Sequence, residues 1–225
     1  LKNLWRNNMI HDKKKWDNTK WPPNLWLQNP EWQMEYLRAS SVISDKYKFI
    51  FIHITKNGGH SMAKAIFEPL IEDAIYSADL DHLYCDDYYK DYFKFTFVRN
   101  PWDRMVSSWS YKLSYFYKGK DFKDFLLNYA WDENGAPTNK HWLDQHYHTH
   151  YKGNQFVDFI GKFENIYDDW DIVCQTIGLK YDLPHKNESN HDKYQKYYDQ
   201  ETKEIVESHY AKDIELFNYR YENEL

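Results

Sequence analysis

Cysteine is nearly absent: Cys85 and Cys174 are the only two in 225 residues. That excludes a disulfide framework or a thiolate metal site and leaves free thiols as the expectation. Long apolar runs are missing as well. No stretch approaches the roughly 20 residues that a bilayer-spanning helix needs, and the N-terminus lacks the apolar core of a signal peptide. Basic charge is also in deficit, with 29 Lys and Arg against 35 Asp and Glu and a net charge of −6. A surface that attracts nucleic acid or sulfated polymer over its whole extent is thereby excluded. Any anion site must be local.

What is abundant is aromatic: 20% of the chain, including 21 Tyr and 10 Trp, beside 28% charged residues and a negative mean hydropathy. Such amphipathic rings pack a core, or line a groove where their faces stack on a sugar or a nucleobase. The length suits one well-buried domain. Residues 1–46 are polar and studded with Trp5, Trp16, Trp21, Trp26 and Trp32 around Pro22 and Pro23. They read as an irregular arm packed on the domain formed by residues 47–225.

Within that domain Lys48-Phe-Ile-Phe-Ile-His-Ile54 has the composition of a strand buried on both faces. It stops at Thr55-Lys-Asn-Gly-Gly-His-Ser61. Met62, Ala65, Ile66 and Leu70 then follow at helical spacing. A second apolar strand, Lys94-Phe-Thr-Phe-Val98, runs into Arg99-Asn-Pro-Trp-Asp-Arg104 and a helix carrying Met105, Val106, Trp109 and Leu113, with Pro101 in the first turn where a helix tolerates it. A short strand is expected at 156–161 and helices at 166–177 and 201–217. The alternation predicts an α/β fold of three layers, P-loop-like, with a central mainly parallel sheet flanked by helices.

The turn from the first strand into its helix is an anion cradle by construction. The amides of Gly58, Gly59, His60, Ser61 and Met62 lie together at a helix N-terminus, with the Ser61 hydroxyl as a further donor and Lys56 as a mobile cation. A nucleoside-triphosphate P-loop would have Gly-Lys-Ser/Thr at the helix start, whereas here Gly59-His60-Ser61 stands there and the lysine comes before the glycines. The second strand end offers Arg99 and, two turns into its helix, Ser107, both suited to one phosphate. Loops at the carboxyl ends of parallel strands face one crevice. Two anion sites in one crevice imply a ligand with two separated anionic groups.

Phe51-Ile-His-Ile-Thr-Lys-Asn-Gly-Gly-His-Ser61 resembles the 5′-phosphosulfate loop of the carbohydrate sulfotransferase family. Phe95-Thr-Phe-Val-Arg-Asn-Pro-Trp-Asp-Arg-Met-Val-Ser-Ser108 resembles that family's 3′-phosphate motif. Weaker echoes are His141-Trp142 with Gln145, residues 158–165, residues 183–189 and the closing Tyr197…Tyr210…Asp213…Tyr219. Thr55-Lys56-Asn57 departs from the usual Pro-Lys-Thr, and His60 replaces a small residue. The resemblance implies a sulfotransferase that uses 3′-phosphoadenosine 5′-phosphosulfate (PAPS), releases 3′-phosphoadenosine 5′-phosphate (PAP) and needs no metal. It implies donor binding by Lys56, Asn57, Gly58, Gly59, His60, Ser61, Met62, Arg99, Ser107, Asn187 and Ser189. Lys56 would neutralise the leaving oxygen. His82, 17 residues before Arg99, is the first choice for the base that takes the acceptor proton, and His141 the second.

The acceptor is expected to be a hydroxyl of a carbohydrate or small molecule, with no nucleic acid as partner. A phosphotransferase of the P-loop class and a glycan-binding pseudo-enzyme are the alternatives. His146, His148 and His150 would share one face of a strand, yet no carboxylate or thiolate in the sequence completes a zinc site with them. The location implied is cytoplasmic for a microbial source, or the Golgi lumen for a trimmed chain that has lost an anchor.

Overall fold

The computed structural model describes residues 41–59, 61–62, 65, 74–76, 89–113, 119–151, 153–179, 183 and 192–222. A five-stranded sheet holds β1 (Ser41–Ser44), β2 (Phe49–Ile52), β3 (Ala74–Tyr76), β4 (Phe93–Val98) and β7 (Phe159–Lys162), in the order β3-β1-β2-β4-β7. β2 pairs with β4 and β4 with β7 in parallel, while β1 runs against both β2 and β3. Four of the five strands therefore point the same way, which gives the mainly parallel sheet of the expected fold. A separate hairpin joins β5 (His150–Tyr151) to β6 (Asn154–Gln155).

Alternation along the strands explains why the sheet is covered on both sides. Phe49, Phe51, Phe95 and Phe97 point into one layer with Met62, Trp170, Val173, Cys174 and Ile177. Ile50 and Ile52 point into the other with Ile43, Tyr92 and Val157. Gly161 in β7 is required by this packing, because a Cβ there would lie 2.5 Å from the Phe97 ring. β1 comes from residues that the sequence reading placed with the arm. Val42, Ile43 and Ser44 are nevertheless fully buried between β2 and β3. The Trp-rich residues 1–40 lie outside those described, as does Cys85.

The helices that follow are α1 (Pro101–Leu113), α2 (Phe122–Asn128), α3 (Ile166–Ile177), α4 (Gln200–His209) and α5 (Ala211–Phe217). Asn100 caps α1: its carbonyl accepts the Arg104 amide at 2.8 Å and its side chain the Trp102 amide at 3.1 Å. α3 stops at Gly178, whose φ of +71° few other residues would adopt. The single helix expected over 201–217 is broken. Tyr210 has φ −104° and ψ 23°, and its ring is drawn into the core, where the hydroxyl donates to the Trp142 carbonyl. The resulting turn brings α5 against the 3₁₀ helix Gln145–His148, which positions Asp213 for the site. No helix among the described residues is long and apolar enough to cross a membrane.

Candidate active site

The loop after β2 is shaped by two left-handed residues, Lys56 at φ +70° and Gly58 at φ +77°, with Asn57 between them. Alternating handedness makes a nest of successive N–H groups that suits an anion. A lysine held in this conformation costs about 1 kcal/mol, so its position is imposed by the surrounding contacts. Residues 55–58 form a turn, and the amides of Asn57, Gly58 and Gly59 run along it into the helix that begins at Gly59. Those of Ser61 and Met62, expected in the cradle, already donate to the Gly58 carbonyl at 3.0 and 3.2 Å. The Met62 side chain is wholly buried in the core. Gly59 admits no Cβ, which would sit 1.9 Å from the His53 ring.

Asn57 also departs from its expected role. Its side chain is 1% exposed and turned inward, donating to the Phe97 carbonyl at 2.7 Å and to Gln145 Oε1 at 2.8 Å. It anchors the loop to the end of β4, and only its amide is left for a ligand.

The Lys56 ammonium lies 4.4 Å from the centroid of the Tyr111 ring. His141 stacks on the same ring at 5.7 Å with 27° between the planes. Lys56 and His141, two of the three residues named for chemistry, thus meet at the half-exposed ring of Tyr111. Asn139 Oδ1 takes both the His141 backbone N–H at 3.1 Å and the ring Nδ1 at 2.8 Å. The backbone contact identifies that atom as the oxygen, so Nδ1 donates to it, and in the neutral ring the lone pair falls on Nε2.

Arg99 is 4% exposed and held on three sides. Its Nε donates to Asp103 at 2.7 Å, its Nη1 to the Lys56 carbonyl at 2.9 Å, and its guanidinium lies 4.1 Å from the Phe163 ring centroid. Nη2 makes no hydrogen bond among the described residues. Neither does the Ser107 hydroxyl, whereas its neighbour Ser108 donates to the His141 carbonyl at 3.1 Å.

Asp103, Ser107 and Tyr111 recur every fourth residue of α1 and so line one face. Arg99 touches the first of these and Lys56 the last, about 12 Å apart along the axis at 1.5 Å per residue. Lys56 and Arg99 therefore address one face of α1 and are bonded to each other through the Lys56 carbonyl. The repeat of four was readable in the sequence, but only once the helix was registered against Arg99.

Behind this face stands a polar network built from residues of the weaker family echoes, Gln145, Glu164 and Asp213. Gln145, fully buried, accepts from the Arg99 amide and from Asn57 and donates to the Arg99 carbonyl. Its own amide donates to Asp213 Oδ2 at 2.6 Å, and Asp213 Oδ1 accepts the His146 amide and ring Nδ1, each at 2.8 Å. Nearby, Glu164 accepts the Asn100 amide at 2.6 Å. Arg104, 2% exposed, donates to the Thr55 and Leu143 carbonyls and ties the loop after β2 to the same segment.

The three histidines do not share a strand face. His146 and His148 belong to the 3₁₀ helix and His150 to β5. The carboxylates judged missing do exist. Asp144 and Asp213 bring ligand atoms within 4.8 Å of one another and of His146. Three N–H donors already engage Asp213, leaving little of its coordinating capacity.

Burial, and then the charge of Asp213, push the Asp144 carboxyl up to about 7. The folded chain therefore holds this proton more tightly than the unfolded one. Stability is lost as pH rises from about 4 through 7. Asp144→Asn removes that loss. Its melting temperature relative to wild type should climb by several degrees as pH rises over this range. The difference between the proteins is the readout in paired thermal melts, because His148, His150 and His209, all lowered mainly by burial, contribute with the opposite sign.

His60, His82, Asn187 and Ser189 lie outside the described residues. Comparison with curated proteins and with solved structures gives no match. The family model described as the sulfotransferase family matches residues 40–220. That span takes in the loops after β2 and β4, α1 and the Gln145–Asp213 network, and the chain belongs to the sulfotransferase family.

Proposed function

We propose that this sulfotransferase takes its sulfuryl group from PAPS and passes it to a hydroxyl of a carbohydrate or small molecule. The observation that carries the reading is the junction of the two anion loops on one face of α1, with Arg99 Nη1 bonded to the Lys56 carbonyl at 2.9 Å. A donor with phosphate at 3′ and phosphosulfate at 5′ fits two such loops. The amides of Asn57, Gly58 and Gly59 receive the 5′ group, while Arg99 Nη2 and the Ser107 hydroxyl receive the 3′-phosphate.

In the transfer, the bond between sulfur and the bridging oxygen of the 5′-phosphate breaks as a bond forms from sulfur to the acceptor oxygen. Lys56 stabilises the charge that grows on the bridging oxygen. The acceptor proton goes to His141 Nε2, whose lone pair Asn139 has fixed. The exposed Tyr111 ring beside both residues gives the acceptor an apolar edge. The net charge of −6 favours a neutral acceptor over a sulfated polymer.

The test has two stages. PAP at about one hundred times its Kd should stabilise the protein by about 2.7 kcal/mol in a thermal melt. Radiolabelled PAPS offered with a panel of glycans, lipids, alcohols and phenols should then label an acceptor. Stabilisation by magnesium ATP and not by PAP would point to a phosphotransferase. PAP binding without transfer to any acceptor would leave a glycan-binding pseudo-enzyme.

A further inference from the structure

We infer that Gln145 is a positioning residue that locks the 5′ and 3′ anion loops at a fixed separation, so that one bifunctional donor is bound as a unit. The inference rests on the donor assignment above.

The side-chain amide of Gln145 pairs with both backbone groups of Arg99, accepting from its N–H and donating to its carbonyl at 2.8 Å each. A neighbouring strand would make the same two bonds. The second lone pair of Oε1 takes Asn57 Nδ2 at 2.8 Å, and Asn57 in turn reaches the Phe97 carbonyl. One amide thus holds the backbone at the end of β4 and the loop after β2. Every member of this set is at most 4% exposed. No water competes for these bonds, and losing any one strands a buried polar group.

Gln145 is itself fixed from behind. Its amide is bonded to Asp213, which is fully buried and also grips His146 through two further bonds. The anchor comes from α5, so the linkage between the loops does not depend on either loop. Neither Gln145 nor Asp213 needs to touch the donor to affect how its two ends are bound.

A residue that only stabilises the fold would weaken all ligands alike, or none. A residue that sets the separation of two subsites should matter most to a ligand that occupies both. The test is calorimetric titration of wild type, Gln145→Ala and the near-isosteric Gln145→Met with three ligands: PAP, adenosine 5′-monophosphate and adenosine 3′-monophosphate. In wild type, PAP should bind at least tenfold tighter than either monophosphate. In the Gln145→Met protein, PAP should weaken by about 30-fold and each monophosphate by no more than about threefold, within the coupling range known for residues in one network.

Equal weakening of all three ligands, or unchanged PAP binding, would overturn the role. So would a Gln145→Met protein that no longer melts cooperatively, since that assigns the residue to stability. If wild type itself shows no preference for PAP over the monophosphates, the donor assignment falls, and this inference with it.

Discussion

Arg99→Ala should raise the Kd for PAP by roughly two to three powers of ten, the effect expected when one partner of a buried, hydrogen-bonded charge pair is removed. The guanidinium is already aimed by Asp103, the Lys56 carbonyl and the Phe163 ring. It gives up little conformational freedom on binding, and the full interaction is lost on truncation. Arg99→Lys keeps the charge but cannot reach Asp103, the Lys56 carbonyl and a phosphate at once. Its Kd should fall between wild type and alanine, by about tenfold to one-hundredfold above wild type. Isothermal titration on folded protein gives both numbers. An Arg99→Ala protein that binds PAP as wild type does would remove the 3′-phosphate from this strand end.

The same arginine shows how far the sequence could be read. The strands were legible because Phe and Ile alternate at 49–52 without a polar residue, a composition that suits a sheet covered on both faces, and because Phe93, Phe95 and Phe97 recur at every second position around Lys94 and Thr96. The loops at the two strand ends were legible as turns because Gly58 and Gly59 follow the first strand and Pro101 follows the second. What joins the loops was not. Gln145 meets Arg99 across 46 positions and Asp213 across 68, and no local pattern marks a contact of that span. β1 was missed because a four-residue strand beside a Trp-rich segment carries too little periodicity.

The helix over 201–217 was drawn unbroken because each half, taken alone, has helical spacing. The break is imposed by burial of the Tyr210 ring, a tertiary demand that overrides local propensity. The histidines at 146, 148 and 150 have the spacing of a strand face, but the Asp213 carboxylate curls that segment into a 3₁₀ turn by capturing two successive amides.

The largest kinetic effect should come from His141. His141→Ala is expected to lower kcat by about 10²–10⁴, the range for loss of a positioned base, while leaving the Kd for PAP within a few-fold of wild type. The wild-type rate should increase from acid pH toward neutrality as the imidazole gives up its proton, and that limb should vanish in the variant. Asn139→Ala tests the orientation by itself. Without Oδ1 the ring can take the other tautomer or rotate, and kcat should drop by about tenfold with the acid limb preserved but displaced. Lys56→Ala offers the contrast, because it removes charge stabilisation of the leaving oxygen and not proton transfer. It should cost roughly 10²–10³ in kcat and keep the pH dependence of wild type. Should His141→Ala retain both the rate and the acid limb, the base is not on the Tyr111 side of the site, and His82 becomes the residue to mutate next.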